Sequence, residues 1–389
     1  MLNSNFNKDR LKEARMYRGL SLEELGEALG VSKQMISKFE QDLAVPNAEQ
    51  LFLLVQKLSF PKSFFYTKDV FNYSRGNPYF RALMSVSKRE KVRQLMKVEN
   101  IASLRDFIEL EIEFPKVSLP DLSNFGEGVE EKALRLREVW ELGERPINNM
   151  LELLEEKGIV VTELRVSDES VDAFSQRISL NKGDSSATYY VVVLGSNKKS
   201  FYRRQFDAAH ELAHLLLHES IDDIEELNNV EFKAMEREAD KFAGSLLLPA
   251  KEFKMDVSVS PTNLAYYKEL KSKWKVSIGA MVVRARQLDV INGEEYQSLF
   301  KAMSRKGWRK EEPLDALTPL VSASAFKEGL DLLFEEGLYT SESFLRDFSA
   351  YSGRYLNYSE IEKLLNLEEG YFSKYIVGNS KLVSLKHKV

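Results

Sequence analysis

The chain contains no cysteine. That excludes disulfides and Cys-ligated zinc or iron–sulfur sites, and it leads us to expect a reducing, cytoplasmic setting. Histidine is scarce: His210, His214, His218 and His387 are the only four in 389 residues. No apolar run approaches membrane-spanning length, and the start Met1-Leu2-Asn3-Ser4 does not read as a signal peptide, so no membrane partner is expected. Internal repeats and low-complexity tracts are missing as well. Neither charge sign dominates: 55 Lys and Arg stand against 60 Asp and Glu, a net charge of −5 that favours solubility and says little about partners. What the chain does have is length for two or three domains and, at 43% hydrophobic residues, ample material for their cores.

Three of the four histidines fall in one stretch, and two of them frame His210-Glu211-Leu212-Ala213-His214. On a helix, positions four apart lie on one face, so both rings can reach one metal ion. Glu211 lies about 100° round from His210, flanking that ion and within reach of water beside it. This H-E-x-x-H spacing holds zinc in metallopeptidases. Phe206, Ala209, Ala213, Leu216 and Leu217 predict the apolar face that would bury the helix.

A catalytic zinc takes three protein ligands and keeps one position open. The third is sought in Glu236-Arg237-Glu238-Ala239-Asp240-Lys241-Phe242-Ala243, whose apolar residues have helical spacing. Glu236 and Asp240 share a face there, so one can bind metal while the other orients a histidine. Glu236 is preferred as ligand over its rivals, His218 included. Glu238 points about 200° away from Glu236 on an ideal helix and is expected to face solvent.

Arg203 to His218, together with Glu236 to Ala243 and the following Leu246-Leu247-Leu248-Pro249, resembles the core of the ImmA/IrrE family of metallopeptidases. The resemblance extends upstream through Gly158-Ile159-Val160-Val161 and Val171-Asp172-Ala173-Phe174-Ser175. Downstream it takes in Trp274-Lys275-Val276-Ser277-Ile278 and Gly307-Trp308-Arg309-Lys310-Glu311-Glu312-Pro313, covering most of residues 80–375. It implies a zinc metalloendopeptidase with a gluzincin-like site and one Zn2+ per chain. His210, His214 and Glu236 would be its ligands, Glu211 its general base and Asp240 the carboxylate behind a histidine. His218 matches a position common in the family that is not usually counted as a ligand. In such a site zinc acidifies water and polarises a peptide carbonyl, while Glu211 carries the proton to the leaving amine. A Tyr or His commonly stabilises the oxyanion, and the 16 tyrosines here occupy no diagnostic position.

The amino end carries a different pattern. Residues 8–18 read as a helix with Leu11 and Ala14 inward. Ser21 caps Leu22 to Leu29, with Glu24 completing a capping box. Gly30 turns the chain, Ser32 caps a helix from Lys33 to Gln41, and Pro46-Asn47 opens a fourth through Leu51, Leu54 and Leu58. Helix, glycine turn and capped helix at this spacing form a helix-turn-helix. Residues 7–66 resemble the Xre/Cro/C1-type DNA-binding domain, most closely at Ala28-Leu29-Gly30-Val31-Ser32 and Ile36-Ser37-Lys38-Phe39-Glu40. In double-stranded DNA the helix from Ser32 would enter the major groove, with Ser32, Lys33, Gln34, Ser37 and Lys38 meeting bases or phosphates. Residues 1–66 hold nine Lys and Arg against eight Asp and Glu, a balance of +1, but the cations gather in helices one and three. Proteins with this motif usually read DNA as homodimers.

Strands are expected at Ile159–Leu164, Phe174–Leu180 and Thr188–Leu194, the last ending at Gly195-Ser196-Asn197. This small sheet beside the histidine helix offers an edge for an extended substrate. Lys88 to Phe114 reads as one long charged helix, and Pro115 to Gly126 as a linker. A second helix-turn-helix-like pattern spans Lys275 to Asn292, with helical packing the preferred reading. The expected fold is mostly α with a small α+β zincin-like domain. Its parts are an all-α helix-turn-helix domain at 1–67, a helical connector at 68–126, the zinc peptidase domain at 127–256, a helical subdomain at 257–313 and a helical tail at 314–389. Two functions remain open. One is a DNA-binding regulator that cleaves a protein such as a transcriptional repressor. The other is a regulator whose zinc domain senses a signal with little or no proteolysis.

Overall fold

The computed structural model describes residues 6–68, 70–76, 87–122, 128–164, 173–196, 199–219 and 227–376. His387, Val171, Asp172, Asn197, the Ser123–Gly126 end of the expected linker and the tail beyond Ile376 lie outside them.

Local capping sets the first four helices, α1 (Lys8–Tyr17), α2 (Leu22–Leu29), α3 (Lys33–Glu40) and α4 (Ala48–Leu58). Ser21 Oγ accepts from the Glu24 amide at 3.1 Å while the Glu24 carboxylate accepts from the Ser21 amide at 2.6 Å, which closes the expected box. Gly30 sits at φ +65°, a left-handed geometry that glycine adopts without strain. Leu11, Ala14, Leu25, Leu29, Ile36, Phe39, Leu54 and Leu58 are all buried between these helices.

After the short strand β1 (Asn72–Arg75), which the sequence did not announce, comes α5 (Lys88–Ile108). The helix expected to reach Phe114 stops six residues earlier. It unwinds through Glu109 to Ile112, whose amides still reach the carbonyls of Arg105, Phe107 and Ile108. Chain without helix or strand follows up to and beyond Pro115, a residue that disfavours helix in front of it.

Helices α6 (Val129–Val139) and α7 (Met150–Glu156) lead into strands β2 (Val160–Leu164), β3 (Ala173–Lys182) and β4 (Ser185–Gly195). The sheet order is β1-β3-β4-β2. β3 is antiparallel to both β1 and β4, and β2 is parallel to β4. The β3–β4 hairpin turns through Gly183-Asp184, with Gly183 at φ +58°. The remaining helices are α8 (Phe201–Leu217), α9 (Asn229–Leu247), α10 (Ala250–Val257), α11 (Leu264–Trp274), α12 (Ile278–Gln287), α13 (Gly293–Arg305), α14 (Ala325–Glu335), α15 (Ser341–Ser352) and α16 (Tyr358–Leu364). The fold is mostly helical with one small sheet, as the sequence led us to expect.

Strand alternation divides the interior in two. On β4, Val191 and Val193 join one core, while Val192 and Leu194 join the other. The first core also takes in Leu25, Ile36 and Phe39 of the amino-terminal helices, Ile101 and Phe107 of α5, and Phe334, Phe344 and Phe348 of α14 and α15. The second holds α6 to α13 around Ala209, Leu212, Phe242 and Trp274. The sheet is therefore the partition between the helix-turn-helix side and the histidine side. No described helix is long and apolar enough to cross a membrane.

Candidate metal centre and nucleic-acid interface

Helix α8 lies between the sheet and α9, packed against β3, β4 and α9. Covered on two sides, it buries Ala208, Leu212 and Leu215 as well as the expected Ala209 and Ala213. The expected Phe206, Leu216 and Leu217 are only half-buried. All three still pack against the second core, so the buried surface is wider than the anticipated face, because two neighbours and not one demand burial. Helix α9 starts at a capping box made by Asn228 and Glu231. Its far end is gripped by two buried guanidiniums: Arg137 donates to the Leu246 carbonyl, and Arg284 Nε donates to the Leu248 carbonyl at 3.0 Å. Arg284 is itself held by Glu130 at 2.8 Å.

These supports bring His210, His214 and Glu236 together, all three buried, with one donor atom from each within 4.8 Å of the others. His210 Nδ1 lies 2.9 Å from Asp240 Oδ1. An ionised carboxylate only accepts, so His210 Nδ1 carries the proton and leaves its Nε2 as a lone pair. His214 Nδ1 lies 3.0 Å from His218 Nδ1, and His218 Nε2 lies 3.3 Å from Glu238 Oε2. Glu238 sets that chain by the same rule: His218 donates from Nε2, accepts on Nδ1, and fixes the His214 proton on Nδ1. Glu238 is exposed, as expected, yet also serves as an acceptor for His218.

The two Nε2 atoms face each other at 3.0 Å. His214 Nε2 lies 3.4 Å from Glu236 Oε1, and His210 Nε2 lies 3.7 Å from Glu236 Oε2. Two imidazole lone pairs at such a distance need a proton or a cation between them. A tetrahedral ion with bonds of about 2.0–2.1 Å places its ligands about 3.3 Å apart, so the nitrogen, nitrogen and oxygen set fits zinc.

Glu211 is buried one residue along. Its carboxylate accepts from Ser175 Oγ at 2.8 Å, and its backbone carbonyl lies 3.1 Å from the same hydroxyl. Burial pushes the Glu211 carboxyl up to about 8, against the opposing pull of His210 and Ser175. Burial likewise pushes His214 down to about 4, opposed by Glu236. For His210, burial is outweighed by Asp240, Glu211 and Glu236, which together hold it above the ordinary histidine value. His214 is thus the imidazole that burial keeps neutral, the form a metal ligand requires. The sequence offers Ser175 as part of an expected strand and of the stretch Val171 to Ser175 that resembles the metallopeptidase family, without a role of its own. Its one sequence signal was a small hydroxyl beside Phe174 in a buried strand. The β3 stretch Ala173–Ser175 beside Glu211 pairs only with β4 among the described residues, while β1 covers β3 further along at Ile178–Asn181.

At the other site, Ser32, Lys33, Gln34 and Lys38 are exposed on α3 and Ser37 is half-exposed, while Ile36 and Phe39 fix the opposite face in the core. Ser32 Oγ caps α3 by accepting from the Met35 amide at 3.3 Å, and Ser37 Oγ accepts from Gln41 Nε2 at 3.1 Å. Arg15 holds Glu40, at the end of the helix, through two bonds of 2.6 and 2.9 Å.

Two stretches of the chain match known family models. Residues 154–286 match the IrrE N-terminal-like domain. That span runs from α7 into α12 and contains every residue of the metal cluster. Residues 11–65 match the helix-turn-helix family model. No curated protein matches the chain. The two matches give it a DNA-binding module and a peptidase-like module.

Proposed function

We propose that this chain is a DNA-binding regulator carrying a zinc-dependent endopeptidase that cleaves a protein such as a transcriptional repressor. The observation that carries the reading is the buried His210, His214 and Glu236 triad with Glu211 held beside it by Ser175. In this reading the triad holds one Zn2+ per chain. Zinc, when bound, supplies Lewis acidity toward water and the scissile carbonyl. Asp240 and the His218–Glu238 pair fix the two imidazoles so that both Nε2 atoms point to one place. Glu211 takes a proton from water and delivers it to the leaving amine. The exposed face of α3, with Ser32, Lys33, Gln34, Ser37 and Lys38, meets double-stranded DNA in the major groove. Homodimeric binding, a cytoplasmic setting and a division at residues 67, 126, 256 and 313 belong to the same proposal.

Turnover is favoured over pure sensing by Glu211, since a sensor needs no carboxylate pinned beside the ion. Glu211→Gln tests this. Cleavage of a repressor-type substrate should fall at least about 10²–10⁴-fold, with zinc content and DNA binding retained. Regulation in cells that persists unaltered in that variant contradicts the peptidase reading.

A further inference from the structure

The run Gly307-Trp308-Arg309-Lys310-Glu311-Glu312-Pro313 has no part in the metal cluster, yet the fold brings it close by. On α8, Arg203, Asp207 and His210 lie on one face; on α9, Glu236, Asp240 and Gly244 are spaced four apart. Both metal-bearing faces continue, one helical turn or about 5.4 Å along, into a cavity of about 400 Å³. Asp207 and Asp240 border it on the cluster side, and Phe206, Val283, Met303 and Trp308 supply apolar walls.

The wall that carries Trp308 is held in place by buried polar bonds. Lys271 Nζ reaches Glu312 at 2.8 Å and Asp315 at 2.7 Å. Glu312 also accepts from the Ile278 and Gly279 amides, at 2.7 and 2.9 Å, where α12 begins. Arg203 on α8 donates to the Arg309 carbonyl at 2.9 Å. Two glycines keep the space clear. A Cβ on Gly244 would meet only Gln287 Oε1 at 3.8 Å and Arg284 Cδ at 4.0 Å, and one on Gly279 only Glu312 Oε1 at 3.6 Å and Met303 Cε at 3.9 Å. A Cβ would fit at both positions, on the cavity wall.

The geometry points to a specificity pocket that receives one large apolar or aromatic side chain of the polypeptide substrate, from a residue flanking the scissile bond. This rests on the peptidase reading above. An extended peptide advances about 3.4 Å per residue, so a residue next to a bond placed over the triad reaches a cavity one helical turn away. Arg203, Arg284 and Arg309 balance Asp207, Asp240 and Glu312 around the cavity, so its selectivity comes from the apolar walls, which favour a large uncharged side chain.

The test uses the zinc-loaded full chain and two zinc-chelating probes, N-acetylglycine hydroxamate and N-acetylphenylalanine hydroxamate, with affinities read by calorimetry. The phenylalanine probe should bind at least about tenfold more tightly. Gly244→Leu, which fills the cavity from α9, should cut that preference to about twofold or less with zinc content unchanged. Val283→Trp fills it from half-exposed α12 and decides the matter should the glycine variant fail to fold. Equal affinity of the two probes, or a preference that survives the filling variant, overturns the pocket alone. Failure of both probes to bind the zinc-loaded protein overturns the peptidase reading, which requires an open position on the metal, and the pocket falls with it.

Discussion

At the histidine helix every triad member is buried, and each imidazole carries a carboxylate or imidazole at its far nitrogen; at α3 the candidate side chains stand in solvent with the scaffold alone to place them. The contrast reflects what each task demands. A metal site must exclude water and hold its donors rigidly, so its polar atoms find partners that coordinates reveal. A groove-reading helix must meet a ligand that is itself highly charged, so its long polar side chains face water, and the local bonds of Ser32 and Ser37 stay within the helix and its cap. Geometry thus speaks in detail about the first site and, for the second, speaks mainly through exposure and through the buried face that orients the helix.

The largest effect expected from breaking this comparison lies between the two sites. Phe344 on α15 is fully buried in the core that α3 shares, and it packs edge-on against Phe107 of α5 at 5.3 Å. Phe344→Ala should cost about 3–5 kcal/mol in chemical unfolding. The helix-turn-helix should lose protection from hydrogen exchange along with the tail. Loss confined to residues beyond 324 would show that the two do not share a core.

A smaller loss is expected behind the metal. Asp240→Asn removes the ionised acceptor that fixes the His210 tautomer and should weaken zinc affinity about 10–100-fold in chelator competition. An unchanged affinity would sever Asp240 from the site.

At the exposed site the effects are the smallest. Lys33→Ala should weaken DNA binding across sequences, and it should reduce the slope of log affinity against log salt by about 1. Zinc content should not move. A variant that changes zinc and leaves DNA binding intact would reverse the assignment of the two regions.

What could be read from the sequence follows the same division. His210, Glu211 and His214, like Glu236 and Asp240, are related by single-helix spacing, and such relations survive in one dimension. Caps at Ser21 and Ser32 are equally local. Ser175 meets Glu211 across 36 residues, from strand to helix, and no periodicity encodes that meeting. The aromatics of the tail signalled burial but could not name α5 and the amino-terminal helices as what they bury against. β1 is four residues long, too short to stand out from the surrounding chain. The apolar face of α8 is wider than its spacing suggests, because hydrophobic spacing marks one buried side and this helix has two. His218 stood as a rival ligand by composition. In the structure its Nδ1 lies 3.0 Å from His214 Nδ1 and it stands outside the His210, His214 and Glu236 cluster, a placement that composition does not reveal.

The account turns on whether α9 completes the site through Glu236 and not through its neighbour two residues on. Metal analysis of the purified chain after zinc loading and desalting, with Glu236→Ala and Glu238→Ala compared, tests this most directly. The account predicts that the Glu236 variant comes through empty while the Glu238 variant retains zinc near one equivalent per chain. Zinc retained at Glu236→Ala, or lost equally in both, would contradict it.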